Sequence, residues 1–135
     1  MIDKVKNNPG QFHDPNFARS VVTQVIRAFL QNRIRYGGPS GAFIKNNPMS
    51  VSRTQIPRIM FINPQFANPP NNMQPSTSHV PSLIAHEGSH FTEDPVPRAG
   101  TPEDKAAEEH AQETQKDFDH VFGVDTFHAY GIGGM

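Results

Sequence analysis

The sequence predicts one small α+β domain, and three observations carry that prediction. Two stretches, after Asp14-Pro15 and after Thr101-Pro102, show helical periodicity between clear start and stop signals. Between them lie short apolar runs of strand length, set among prolines. The composition leaves room for little else: 35% of the 135 residues are hydrophobic, and 13 Pro and 10 Gly commit much of the chain to loops. A chain of this length supports one modest core, so residues 1–135 are read as a single domain.

Asp14 suits an N-cap, and Pro15 suits the first helical position, where a missing N–H costs nothing. From there an N-terminal scaffold helix is predicted to run through "NFARSVVTQVIRAFLQNRIRY" to Gly37-Gly38. Phe17, Ala18, Val21, Val25, Ala28 and Phe29 share one face, widened by Val22, Ile26 and Leu30, and none of them bears chemistry. "GAFI" (41–44) and "RIMFIN" (58–63) read as strands of a small sheet. The stretch 64–80 is a Pro/Asn-rich loop by composition.

Pro81 and Ser82 then open a short helix of about ten residues, closed off by Pro95 and Pro97. The next helix is capped by Thr101, with Pro102 first and Asp104 three after the cap. It is predicted to reach Phe122, end at Gly123, and bury Ala107, Ala111, Thr114, Phe118, Val121 and Phe122. Residues 124–135 read as a C-terminal tail, loop or short strand with a Gly-rich end.

Composition removes several function classes. With no Cys there are no disulfides and no thiolate metal sites, so any metal rests on His and carboxylates. The net charge of -1 hides an uneven distribution: nine Lys/Arg against two Asp in residues 1–80, and three Lys/Arg against eleven Asp/Glu in residues 81–135. Two oppositely charged halves that pack together account for this. The cations of the basic half stand singly, without interleaved aromatics, so a nucleic-acid partner is not expected. No apolar run approaches the roughly 20 residues that span a bilayer, and no signal-peptide core opens the chain.

The short helix carries His86-Glu87-Gly88-Ser89-His90, an H-E-x-x-H motif. Histidines four apart on a helix point the same way and can reach one ion from a single rigid element. Glu87 falls beside them, placed to deprotonate a water on that ion. On a helical wheel Leu83, Glu87 and His90 cluster with His86 at their flank, while Ser82, Ser89, Thr92 and Glu93 face away. Burying such polar groups without partners is costly, and a zinc ion supplies the partner.

A third ligand is sought downstream in "KAAEEHAQETQ". Glu108 lies about 100° round from Ala107, at the edge of the apolar stripe, and is the first choice. His110, at the opposite edge, is second; Glu109 and Glu113 fall on the outer side. Ala107 and Ala111 let the two helices approach closely.

Residues 80–113, about a quarter of the chain, resemble the gluzincin branch of the zincin metallopeptidases, which set two His of one helix and a Glu of the next around one zinc. The resemblance implies a minimal zincin-like domain, with an active-site helix and a following ligand-bearing helix. His86, His90 and Glu108 would bind Zn2+, with Glu87 as general base of peptide-bond hydrolysis. It also implies a transition-state donor, for which Tyr130 and His128 are the candidates. The tail "DTFHAYG" is similar to the aspzincin signature, which brings Asp125 in as an alternative ligand.

Small size and the lack of a signal peptide make the chain similar to secreted bacterial effector and toxin peptidases. That likeness implies delivery by a dedicated secretion system, a protein or cell-wall peptide as substrate, and a cognate immunity or inhibitor protein. "RIMFI" is a candidate edge strand for an extended peptide, although a run this apolar suits a central strand equally well. Two features depart from the pattern. Gly88 weakens the helix by about 1 kcal/mol relative to Ala. Gln112 stands where an orienting Asp is expected four residues after Glu108, which leaves the first His without an assigned partner. The competing function class is a non-catalytic binding module in which a structural zinc holds two helices together.

Overall fold

Local capping chemistry sets the helix starts. In the computed structural model, which describes residues 1–37, 49–53, 57–64 and 79–130 (the last without its side chain), Asp14 Oδ1 accepts the N–H of Phe17 at 3.0 Å. Thr101 Oγ1 accepts the N–H of Asp104 at 3.3 Å. In chain order the elements are α1 (Ile2–Asn7), a 3-10 turn (Pro9–Gln11), α2 (Pro15–Leu30), β1 (Ile34–Tyr36), β2 (Met49–Val51) and β3 (Met60–Ile62). Then follow α3 (Val80–Ser89), a 3-10 turn (His90–Thr92), α4 (Pro102–Phe122) and α5 (Thr126–Tyr130). The α+β class is thus the one observed. No helix among the described residues is long and apolar enough to cross a membrane.

α2 stops earlier than predicted. Asn32 takes a left-handed φ of 58°, a conformation Asn tolerates, and the N–H of Arg33 bonds back to the Ala28 carbonyl at 2.8 Å. The chain then leaves as β1, where Ile34 and Tyr36 favour an extended backbone over a helix. The buried face is also narrower than the wheel suggested. Ala18, Val21, Val22, Val25 and Ala28 are buried, whereas Ile26, Phe29 and Leu30 stand exposed, because α1, α3 and the turn after α3 pack α2 on one side.

The sheet order is β1-β3-β2, with β1 parallel and β2 antiparallel to β3. The "RIMFIN" strand is therefore central, with Met60 opposite both Ile34 and Val51. Of its two readings, edge or central, the central one is observed; among the described residues the edge strand beside the motif helix is β2, which the sequence pattern did not mark. "GAFI" and residues 65–78 of the Pro/Asn-rich loop lie outside the described residues. The C-terminal stretch holds a helix, α5, where loop or strand was expected. Asp125 Oδ1 accepts the N–H of His128 at 3.0 Å and so caps it.

α3 is packed from several directions. Ala85 joins Val5, Phe12, Ala18, Val22 and Phe118 in one apolar cluster, and Leu83 joins Val21, Val25, Met49 and Met60 in another. Each Val, Leu, Met or Phe buried in these clusters contributes about 1.5–3 kcal/mol relative to exposure, and each Ala less. Ser82 and Ser89, expected to face away, are buried instead, because α2 and α4 both close on α3 and only small residues fit between. Gly88 marks the tightest approach: a Cβ there would sit 2.4 Å from Val25 Cγ2 and 3.3 Å from Val21 Cγ1.

Gly88→Ala is accordingly expected to destabilise. Overpacking against a stiff β-branched neighbour costs about 1–3 kcal/mol and outweighs the gain of about 1 kcal/mol in helix propensity. Urea denaturation should show this loss in the wild-type background and a smaller one in a Val25→Ala background. A more stable Gly88→Ala would refute the close approach.

Candidate metal centre

His86 and Glu87 project from the last turns of α3, and His90 opens the 3-10 turn that continues it. Glu108 arrives from α4. His86 Nε2 lies 2.9 Å from Glu108 Oε1, and His90 Nε2 lies 3.3 Å from Glu108 Oε2. One carboxylate thus faces both imidazoles, whose ring centres are 5.6 Å apart. His86, Glu87 and His90 also offer ligand atoms that all lie within 4.8 Å of one another. The group borders a cavity of about 220 Å³, walled by Met49, Ser50 and Val51 of β2 on one side and Gln112 of α4 on the other.

The far nitrogen of each ring is occupied. His86 Nδ1 donates to Gln115 Oε1 at 2.7 Å, and His90 Nδ1 meets Glu93 Oε1 at 2.5 Å. Glu93 is in turn clamped by Arg58, whose Nη1 donates to Glu93 Oε2 at 2.9 Å and to the His90 carbonyl at 2.6 Å. With both Nδ1 atoms engaged by acceptors, both Nε2 atoms turn toward Glu108. That is the arrangement a metal-binding pair of histidines needs.

Electrostatics within the cluster are strongly coupled. Burial by itself would lower His90, but hydrogen bonds to Glu108 and Glu93 and the charge of Glu87 outweigh it and lift the imidazole from 6.5 to about 10. His86 is raised in the same manner: its burial is overcome by the bond to Glu108 and the charges of Glu87 and Glu108. Glu108 would be raised by burial, yet the two imidazoles hold it well below the usual carboxylate range. Glu87 goes the other way. Its desolvation dominates and pushes the carboxyl up, only partly offset by His86 and His90.

The structure therefore brings together His86, Glu87, His90 and Glu108. The alternative ligands go elsewhere. Glu109 is exposed, His110 stacks on Phe17 at 3.7 Å between ring centres, and Asp125 is exposed as the cap of α5. His128 is exposed and does not line the cavity; its neighbour Phe127 does. The Tyr130 side chain lies outside the described residues.

Three partners were missed from sequence. Glu93 was placed outward by a wheel of 3.6 residues per turn, but the turn after Ser89 is 3-10, which eclipses positions i and i+3 and sets Glu93 beside His90. Gln115 stands seven residues after Glu108, two turns on and on the same face, a spacing that could have identified it. Arg58 precedes β3, and no local signal links it to α3.

Charge coupling makes the metal-free protein sensitive to pH. His90, raised above its unfolded value of 6.5, contributes stability that is full below pH 6.5 and lost as pH rises through about 10. The raised Glu87 and His86 act in the same sense. Glu108, held below 4.5, contributes above that pH and loses its contribution only on acidification through its lowered value. With a chelator present, the melting temperature is expected to fall as pH climbs from 6.5 toward 10, and to fall less in Glu87→Gln. A flat or rising profile would contradict the coupling.

No protein-family model matches this chain, and neither a curated protein nor a solved structure shows significant similarity to it.

Proposed function

We propose that the chain is a zinc-dependent metallopeptidase that hydrolyses peptide bonds. The observation that carries this reading is the convergence of His86 Nε2 and His90 Nε2 on the two oxygens of one carboxylate from another helix. Two imidazoles, once they give up their Nε2 protons, and a carboxylate form a donor set suited to zinc, and the sequence has no thiolate to compete with it. His86, His90 and Glu108 would hold the ion. Bound there, zinc supplies a Lewis acid that polarises a carbonyl and acidifies water.

Glu87 supplies the proton transfer. Its position one residue after His86 and its raised pKa suit a base that takes a proton from the attacking water and passes it to the leaving amine. The cavity walls suggest how a peptide lies. Among the described residues β2 lies at the sheet edge, and Met49–Val51 line the cavity beside Glu87, so an extended substrate paired with β2 would bring a carbonyl over the site. The peptide-binding role considered for "RIMFI" passes to β2, whose outer edge β3 does not occupy.

A structural zinc in a binding module is the competing reading, and Glu87 separates the two. Elemental analysis should find equimolar zinc in the wild type and in Glu87→Gln, and little in His90→Ala. Peptidase activity on a mixed peptide library should fall by about 10²–10⁴-fold in Glu87→Gln, the usual contribution of a general base. Zinc retained with no activity in the wild type would favour the structural module; no zinc in the wild type would end both readings.

A further inference from the structure

His86 is anchored by an amide, and an amide is ambiguous. One end of Gln115 accepts and the other donates, so the side chain could as readily offer its NH2 group to the histidine. Offered that way, it would call for a bare Nδ1 and a proton on Nε2, the form of the ring that cannot bind a metal. Something beyond Gln115 must decide.

Three buried residues make that decision. Gln115 and Thr126 are 0% exposed and Asp119 is 6% exposed. Gln115 Nε2 donates to Thr126 Oγ1 at 2.7 Å, and Thr126 Oγ1 lies 2.9 Å from both oxygens of Asp119. Asp119 Oδ2 also accepts the Thr126 backbone N–H at 3.0 Å. A carboxylate only accepts, so the single hydroxyl proton of Thr126 is committed to Asp119. The Thr126 oxygen then has only lone pairs to offer Gln115, which must present its NH2 there and its carbonyl to His86.

We propose that Asp119, acting through Thr126 and Gln115, holds a proton on His86 Nδ1, so that the proton the ring gives up to a metal is the one Nε2 shares with Glu108, and so makes three residues outside the ligand set positioning residues for zinc. The proposal rests on the metallopeptidase reading above and adds a consequence for the C-terminal segment. Thr126 opens α5, so the start of that helix belongs to the metal centre although it supplies no ligand. His90 needs no such reference, because its partner Glu93 is a carboxylate and can only accept.

The polarity of the chain can be reversed by substitution, and that provides the test. Asp119→Leu removes both acceptor oxygens, so the Thr126 hydroxyl proton turns to Gln115, which must then present its carbonyl to Thr126 and its NH2 to His86. Adding Gln115→Glu gives the hydroxyl and His86 Nδ1 an acceptor each. The Thr126 N–H loses its acceptor in both variants, so their comparison isolates the polarity of the chain. Zinc affinity, measured by competition with a chromogenic chelator, is expected to fall about 10- to 100-fold in Asp119→Leu and in Thr126→Val, the usual cost of losing an orienting partner. It should stay near wild type in Thr126→Ser and recover in Asp119→Leu/Gln115→Glu.

Circular dichroism of the metal-free variants identifies those that fold. A merely structural role predicts that the two substitutions add rather than compensate. The proposal is overturned if folded Asp119→Leu binds zinc within about twofold of wild type, or if the double variant is no better than the single. Should Thr126→Val fail to fold, the comparison of single and double variants still decides. A wild type that binds no zinc would instead overturn the metal reading, a result distinct from unchanged affinity in the variants.

Discussion

A ten-residue helix that, with the 3-10 turn continuing it, presents two imidazoles and a carboxylate to a cavity must be held by its other faces, because desolvating those groups opposes folding. This constraint shapes the rest of the molecule. α3 carries Ser82, Ala85, Gly88 and Ser89 on its enclosed sides, all buried and all small. Their size lets α2 and α4 approach closely enough to bury Ala85 and Leu83 in two separate clusters. Gly88, a defect by helix propensity alone, is where the Val21–Val25 ridge of α2 fits.

Satisfying the polar face requires a further layer of partners. Each imidazole has an acceptor behind it and Glu108 in front, so neither ring nitrogen is left without a partner. The layer draws on distant parts of the chain: Arg58 from before β3, Glu93 from the turn after α3, and Asp119 and Thr126 from the C-terminal end. The uneven charge of the sequence has its counterpart here. Cations of the first half meet acids of the second at Arg58–Glu93 and Arg53–Asp104, at 2.9 and 3.3 Å. The exposed pair is screened by solvent and contributes little, whereas Arg58–Glu93, nearly excluded from water, serves to orient His90.

The cluster also illustrates a tension between stability and chemistry. Glu87 is pushed toward its neutral form by desolvation, a cost to the fold near neutral pH that a packing role would not require. Glu108 and the histidines stabilise one another, yet their mutual hydrogen bonds occupy the atoms that would bind a metal. His86 and His90 would each have to give up the Nε2 proton shared with Glu108 to hold a metal, which would tie affinity to pH.

What the sequence determined by itself is what local chemistry decides. Asp14 and Thr101 start helices because side-chain oxygens reach N–H groups three residues away, and Gly123, at a φ of 68°, ends α4 because it can adopt a left-handed turn. The i,i+4 spacing of His86 and His90, and the place of Glu108 at the edge of a stripe, follow from helical periodicity and were legible for the same reason. Only the tertiary structure decided the rest. Whether 34–36 continue a helix or form β1 depends on β3, whose residues pair with β1 across 26 positions of sequence, Ile34 with Met60, after the intervening β2. Which strand lies at the edge, and why Gln115 rather than Gln112 meets His86, depend on how α4 lies against α3 and where Thr126 returns to it. Those contacts join residues far apart in the chain, and no local pattern encodes them.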